Sequence, residues 1–155
     1  MTHNAYANDW IAQQSSSSRN YERPVRYVSG GAARFDLSFE DLELERLARL
    51  DDDWDGYGSL APTKEIINSA WHWINRFKEC LKARPIAWTK PYMGCDENGH
   101  IVLEWWKGGK KLTIYLSEAN PVFLRIWGAN MDSEMVFGEM NDAYDVVSPF
   151  NWLNR

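Results

Sequence analysis

The chain has 155 residues, nine of them tryptophan, and 22 Asp and Glu against 17 Lys and Arg, for a net charge of −5. That length predicts one domain able to bury roughly 68–70% of its unfolded surface. The acidity argues against nucleic acid as the direct ligand, since phosphate binding needs clustered Lys and Arg, and no apolar run approaches the ~20 residues that span a bilayer.

Residues 1–34 show no sustained periodicity and include Gln13-Gln14-Ser15-Ser16-Ser17-Ser18 and Ser29-Gly30-Gly31. This is the composition of a flexible arm. The arm carries Arg19, Arg23, Arg26 and Arg34 against Asp9 and Glu22, with Trp10, Ile11, Tyr21, Val25 and Tyr27 as apolar anchors. A docked strand over 23–28 is one way to hold it. Met1-Thr2-His3-Asn4 has neither the basic stretch nor the apolar run of a signal peptide.

Ser38 as cap and Asp41 three residues on predict a first helix over about 39–50. Phe39, Leu42, Leu47 and Leu50 share its apolar side, and Leu44 widens it. Residues 36–55 hold nine acids against Arg46 and Arg49. This run reads as a solvated helix face, or as a docking surface for a basic partner through Glu40 and Glu43.

Asp51-Asp52-Asp53-Trp54-Asp55-Gly56-Tyr57-Gly58 follows. Asp51, Asp53, Asp55 and Gly56 fit the D-x-D-x-D-G opening of a calcium loop, in which alternate carboxylates reach one hard cation. The twelfth loop position should be a bidentate glutamate and is Pro62; Glu65 comes three residues late. The other reading is a structural turn, with Trp54 and Tyr57 pinning it to the core and aspartates bonding nearby backbone N–H groups. Pro62 or Thr63 then opens the second helix.

That helix spans about 63–83. Ile66, Ile67, Ala70, Trp73, Ile74, Phe77 and Leu81 fall on one side, and Asn68, His72, Asn75, Arg76 and Glu79 opposite. From Ile86 the period becomes two. Strands are predicted over 86–93, 100–106, 111–117, 121–127 and 133–138, joined by short turns that make them antiparallel neighbours. Gly108-Gly109 marks a tight hairpin.

One face of this meander takes Ile101, Leu103, Trp105, Leu112, Ile114, Leu116, Val122, Leu124 and Ile126, and should meet the second helix. The other takes Val102, Glu104, Trp106, Thr113, Tyr115, Phe123, Arg125 and Trp127, with a Glu104–Arg125 pair. Its aromatics and arginine suit a docking surface. Its candidate covers are the C-terminal tail (Tyr144, Val146, Val147, Phe150, Trp152, Leu153), the N-terminal arm, a second copy or another protein. Single-stranded nucleic acid could stack there, but without a positive groove.

The leucine pairs, Trp54-Asp55-Gly56-Tyr57-Gly58, Ala61-Pro62, the amphipathic helix and the strand Ile101-Val102-Leu103-Glu104-Trp105 together resemble a group of small bacterial and phage-associated proteins of no established activity. The resemblance covers about residues 38–127. It implies the same helix–turn–helix–sheet unit and a phage or mobile-element setting, and carries over no catalytic residue.

There is no glycine-rich phosphate loop and no G-x-S-x-G elbow. His3, His72 and His100 are scattered. Cys95 and His100 could form a dyad, and Asp53, Asp55 and Glu104 a metal site, only if the fold brings them together. Cys80 and Cys95 form no close-spaced motif and predict free thiols in a reducing cytoplasm.

The expected fold is α+β, with two N-terminal helices on one face of a four- or five-stranded antiparallel meander. Residues 1–34 are the arm, 35–140 the domain and 141–155 an apolar tail packing on it. The expected function is non-enzymatic protein binding in the cytoplasm, without a cofactor, through Glu104, Trp106, Tyr115, Phe123, Arg125, Trp127, Glu40 and Glu43. The partner would be a basic, nucleic-acid-binding host protein, inhibited or regulated by a phage or mobile-element protein; a homodimer is also compatible. The alternative is a metal-dependent hydrolase or nuclease, or a calcium-binding protein, using Asp51, Asp53 and Asp55.

Overall fold

The computed structural model describes residues 36–129 and 134–155. The arm, its strand over 23–28 and the first residue of the fifth predicted strand lie outside the described residues. The elements are α1 (Phe39–Leu47), α2 (Lys64–Lys82), β1 (Tyr92–Cys95), β2 (Ile101–Lys107), β3 (Lys110–Leu116), β4 (Val122–Trp127) and β5 (Met135–Glu139). A 3-10 turn (Ala143–Val146) and α3 (Val147–Asn154) follow. The class is α+β, and the five strands form an antiparallel meander in chain order.

Both early helices start at side-chain caps. The Ser38 hydroxyl accepts from the Asp41 N–H, and the Asp41 carboxylate answers the Ser38 N–H, a reciprocal box. Thr63, rather than Pro62, caps α2. α1 stops at Leu47, three residues earlier than expected, and buries Glu40, Leu44 and Leu47. With that i, i+4, i+7 stripe facing inward, Leu42 points away and is exposed, against its predicted core position. α2 buries Ile66, Ala70, Trp73, Ile74, Phe77 and Leu81 as its periodicity required.

The first predicted strand is largely displaced. Residues 86–91 form no ladder, and β1 begins only at Tyr92, after Pro91. The freed stretch turns Trp88 inward. Its ring stacks on Phe150 (5.7 Å, 15°) and meets Trp105 edge-on (5.4 Å, 83°), while Trp105 Nε1 donates to the Thr89 carbonyl at 2.8 Å.

The register fixes the faces. One inner row of cross-strand partners runs Met93, Leu103, Ile114, Phe123, Gly138, and the next runs Trp105, Leu112, Arg125, Val136. Outer rows run Tyr92, Glu104, Thr113, Leu124, Phe137; then Gly94, Val102, Tyr115, Val122, Glu139; then Trp106, Lys111, Ile126, Met135. The expected faces of β2 and β3 are correct and those of β4 are exchanged. Phe123, Arg125 and Trp127 lie inside; Val122, Leu124 and Ile126 lie outside. Leu112 pairs with Arg125 and Tyr115 with Val122, so the β3–β4 connection is one residue out from the assumed pairing, and a one-residue slip turns every side chain over.

The inner layer is shared. α2 lies on β2 and β3, and α1 leans on α2 and on β1, so the expected two-helix layer is met in part. The 3-10 turn closes on α2, and α3 on β2 and β3. Met140, Ala143, Val146 and Phe150 are fully buried with Phe77, Leu81, Leu103 and Ile114. The C-terminal segment thus covers the inner face, not the outer one.

Candidate functional site

The outer face carries three large exposed apolar side chains: Tyr92 at 63%, Trp106 at 58% and Phe137 at 57% of full exposure. Val102, Tyr115, Val122, Leu124, Ile126 and Met135 lie half-buried between them. Its charge is mostly internal. Glu104 pairs with Lys111, whose ammonium lies 5.1 Å from the Trp106 ring, and Thr113, 1% exposed, reaches Glu104 through its hydroxyl at 3.4 Å. Tyr92 meets Trp106 edge-on at 6.4 Å. Burial, with the Glu104 and Asp96 charges, pushes the Tyr115 phenol above its ordinary range.

Of the eight residues predicted to bind a partner, the structure brings Glu104, Trp106 and Tyr115 together on this face. Phe123, Arg125 and Trp127 are corrections. Arg125 lies on the inner side between the Phe123 ring (5.6 Å) and the Trp152 ring (5.4 Å), and Trp127 meets Trp152 edge-on at 6.0 Å. The Glu104–Arg125 pair therefore does not form. Glu40 is also a correction, being only 6% exposed. It accepts from Lys78 Nζ at 2.5 Å and Trp88 Nε1 at 2.8 Å. Burial pushes its carboxyl up, but those hydrogen bonds and the Lys78 charge outweigh burial and hold it below the ordinary value. Glu43 is occupied by Arg46, which also donates to the Met93 carbonyl at 3.2 Å. The acidic helix thus spends these two carboxylates within the fold.

The aspartate turn is built from its own carboxylates. Asp52 accepts from the Ala61 N–H (2.9 Å) and Asp53 from the Gly58 N–H (2.7 Å). Asp55 accepts from the Tyr57 and Ser59 N–H groups (2.9 and 3.3 Å) and the Ser59 hydroxyl (2.5 Å). The Ser59 hydroxyl and the Tyr57 N–H hold Asp55 below the ordinary carboxylate range. Asp53 takes a left-handed φ of 65°, a conformation Asp tolerates. Among the described residues no three His, Cys, Asp or Glu side chains converge as a metal site. The aromatics do not pin the turn as expected. Trp54 bonds its indole N–H back to the Leu60 carbonyl (3.2 Å) and stays 40% exposed, and Tyr57 is 92% exposed. Ser59 is the buried residue there. The anchor is backbone: the Leu60 N–H donates to Glu97, and a Cβ on Gly99 (φ +81°) would stand 2.7 Å from the Ala61 carbonyl oxygen.

Cys95 and His100 do not form a dyad. His100 Nδ1 contacts Asp96 at 2.9 Å, while the Cys95 thiol bonds the Asp96 and Leu60 carbonyls. Burial, with the Asp96 charge adding to it, pushes that thiol up to about 11, the reverse of an activated nucleophile. The sequence reading missed Tyr92 and Phe137 as surface groups. Their signal was the alternation of strands one and five, hidden by the overlong first strand and the exchanged fourth. No protein-family model, curated protein or solved structure matches the chain.

Proposed function

We propose that this chain is a non-enzymatic protein-binding module whose docking surface is the outer sheet face. The observation that carries the reading is the set of exposed apolar side chains Tyr92, Trp106 and Phe137 on one sheet face, around a Glu104–Lys111 pair satisfied within the face. Such a field suits apolar side chains from a partner, because the Glu104–Lys111 pair stays satisfied when it is covered, while Glu139 at the β5 margin accepts from Asn120. The net charge of −5 favours a partner that is basic around its docking segment. With the resemblance to phage-associated proteins, it fits an inhibitor or regulator of a basic, nucleic-acid-binding host protein.

The test is capture from bacterial lysate by the full chain, repeated with Trp106→Ala plus Phe137→Ser and with Tyr57→Ala. The expected result is a basic protein retained by wild type and Tyr57→Ala, lost by the double variant and weakened by salt. If every protein retained by wild type is also retained by the double variant, the reading is wrong.

A further inference from the structure

We propose that the cleft between the aspartate turn and the β1–β2 connection is a binding site for a guanidinium group, carried by a small molecule or by an arginine side chain. The cleft has a volume of about 530 Å³, within the ~300–1,000 Å³ of ligand sites. Its lining includes Trp54, Asp55, Tyr57, Ser59, Cys95 and Glu97, and no Lys or Arg. Two rings and two carboxylates thus meet at one opening with no cation of the chain among them.

The walls are held in place by backbone. The Leu60 N–H donates to the Glu97 carbonyl at 3.0 Å, and Asp52, Asp53 and Asp55 fix the turn by accepting from nearby N–H groups. The rings are therefore presented to solvent instead of packed. Trp54 has its indole N–H taken by the Leu60 carbonyl, which leaves the π face as its free chemistry, and Tyr57 stands almost fully exposed at the rim. A tyrosine has only two side-chain torsions, so closing it on a ligand costs little freedom.

Charge and hydrogen bonding set the class of ligand. Asp55 is anionic, but its oxygens already serve the Ser59 hydroxyl and the Tyr57 N–H. Glu97 is exposed, and its carboxylate has no partner among the described residues. One free carboxylate is too few for a hard dication, which takes about six to eight oxygens, and among the described residues no three metal-ligating side chains converge. A carboxylate beside an aromatic face suits a guanidinium, which lays its flat side on the ring and forks two N–H bonds to the carboxylate. A compact ammonium makes the charge contact without the stacking. The net charge of −5 draws a cation toward the opening. Tyr92, Trp106 and Phe137 do not line the cleft, and the site does not rest on the sheet-face reading.

The test titrates the full ¹⁵N-labelled chain and follows the Gly58 amide and the Trp54 indole N–H, the latter assigned by its loss in Trp54→Phe. The ligands are ethylguanidine and acetyl-Gly-Arg-Gly-amide, with the same peptide carrying citrulline (equal shape, no charge) or lysine. Saturating shifts are expected from at least one guanidinium ligand, with a dissociation constant on the order of 1–10 mM. Citrulline should give no saturation, and lysine should bind more weakly than arginine. Tighter binding of the peptide assigns the group to an arginine side chain; tighter binding of ethylguanidine assigns it to a small molecule. Tyr57→Ala and Glu97→Gln, both at exposed positions, should each weaken binding roughly twofold to fivefold. Equal responses to arginine and citrulline, equal responses to arginine and lysine, or constants unchanged in both variants overturn the proposal. Lysate capture and this titration read different surfaces, so either reading can fail while the other stands.

Discussion

The two faces of the sheet are built from similar residues and put to opposite uses. Inside, Trp105, Trp88 and Phe150 pack ring on ring, and even Arg125 is laid between aromatic rings. Outside, Trp106, Tyr92 and Phe137 have the same chemistry and more than half of their surface in solvent. Composition along a strand thus does not decide which face is the core. What decides it is which face the helices reach, and α2 and α3 both reach the same one.

The contrast is sharpest in stability. Phe150→Ala should cost about 3–5 kcal/mol in urea unfolding, because two aromatic partners, Trp88 and Trp105, lose their contact and a cavity opens in the core. A loss below ~1 kcal/mol would mean that α3 contributes little to the inner face. Glu40→Ala should cost about 3 kcal/mol at neutral pH, since it strands Lys78 and the Trp88 N–H at the edge of the core. Because the fold holds this carboxyl below its ordinary 4.5, its contribution is complete above that value and is lost as the pH falls through the lower folded value. The variant's stability should therefore converge on wild type in acid; a gap unchanged down to the folded value would show that packing alone is responsible.

Gly99→Ala should cost about 2 kcal/mol by forcing a side chain into a left-handed site against the Ala61 carbonyl. On the outer face, Trp106→Ala should change stability by less than about 1 kcal/mol. An effect as large as that of Phe150→Ala would erase the distinction between the faces. Smallest of all, millimolar calcium should move the melting temperature by less than ~1 °C, since the turn's carboxylates already serve its backbone. A rise of several degrees that disappears in Asp53→Ala plus Asp55→Ala would reassign the turn to a cation.

Much of the architecture was legible because it is written locally. Ser38, Thr63 and Gly108-Gly109 act within a few residues of themselves, and the burial of α2 follows from its own periodicity. The candidate site was legible only in part because it depends on phase. In β4 both alternating sets are largely apolar, so Val122, Leu124 and Ile126 looked like core as readily as Phe123 and Trp127. One residue in the Ser117–Pro121 connection settled the choice. Glu40 shows the same limit from another side. An acidic run reads as solvent-facing until a lysine 38 residues away and an indole 48 residues away turn one member inward.

The late position of α3 and its 3-10 turn sets an order on synthesis. Met140, Val146, Phe150 and Leu153 complete the core, yet they leave the ribosome after every strand they cover. Until they emerge, the inner side of a nascent sheet is covered by α1 and α2 alone, and chaperones meet an incomplete core as well as the outer surface. A reading-frame break late in the message would therefore yield a chain with nearly all its strands and little prospect of escaping proteolysis.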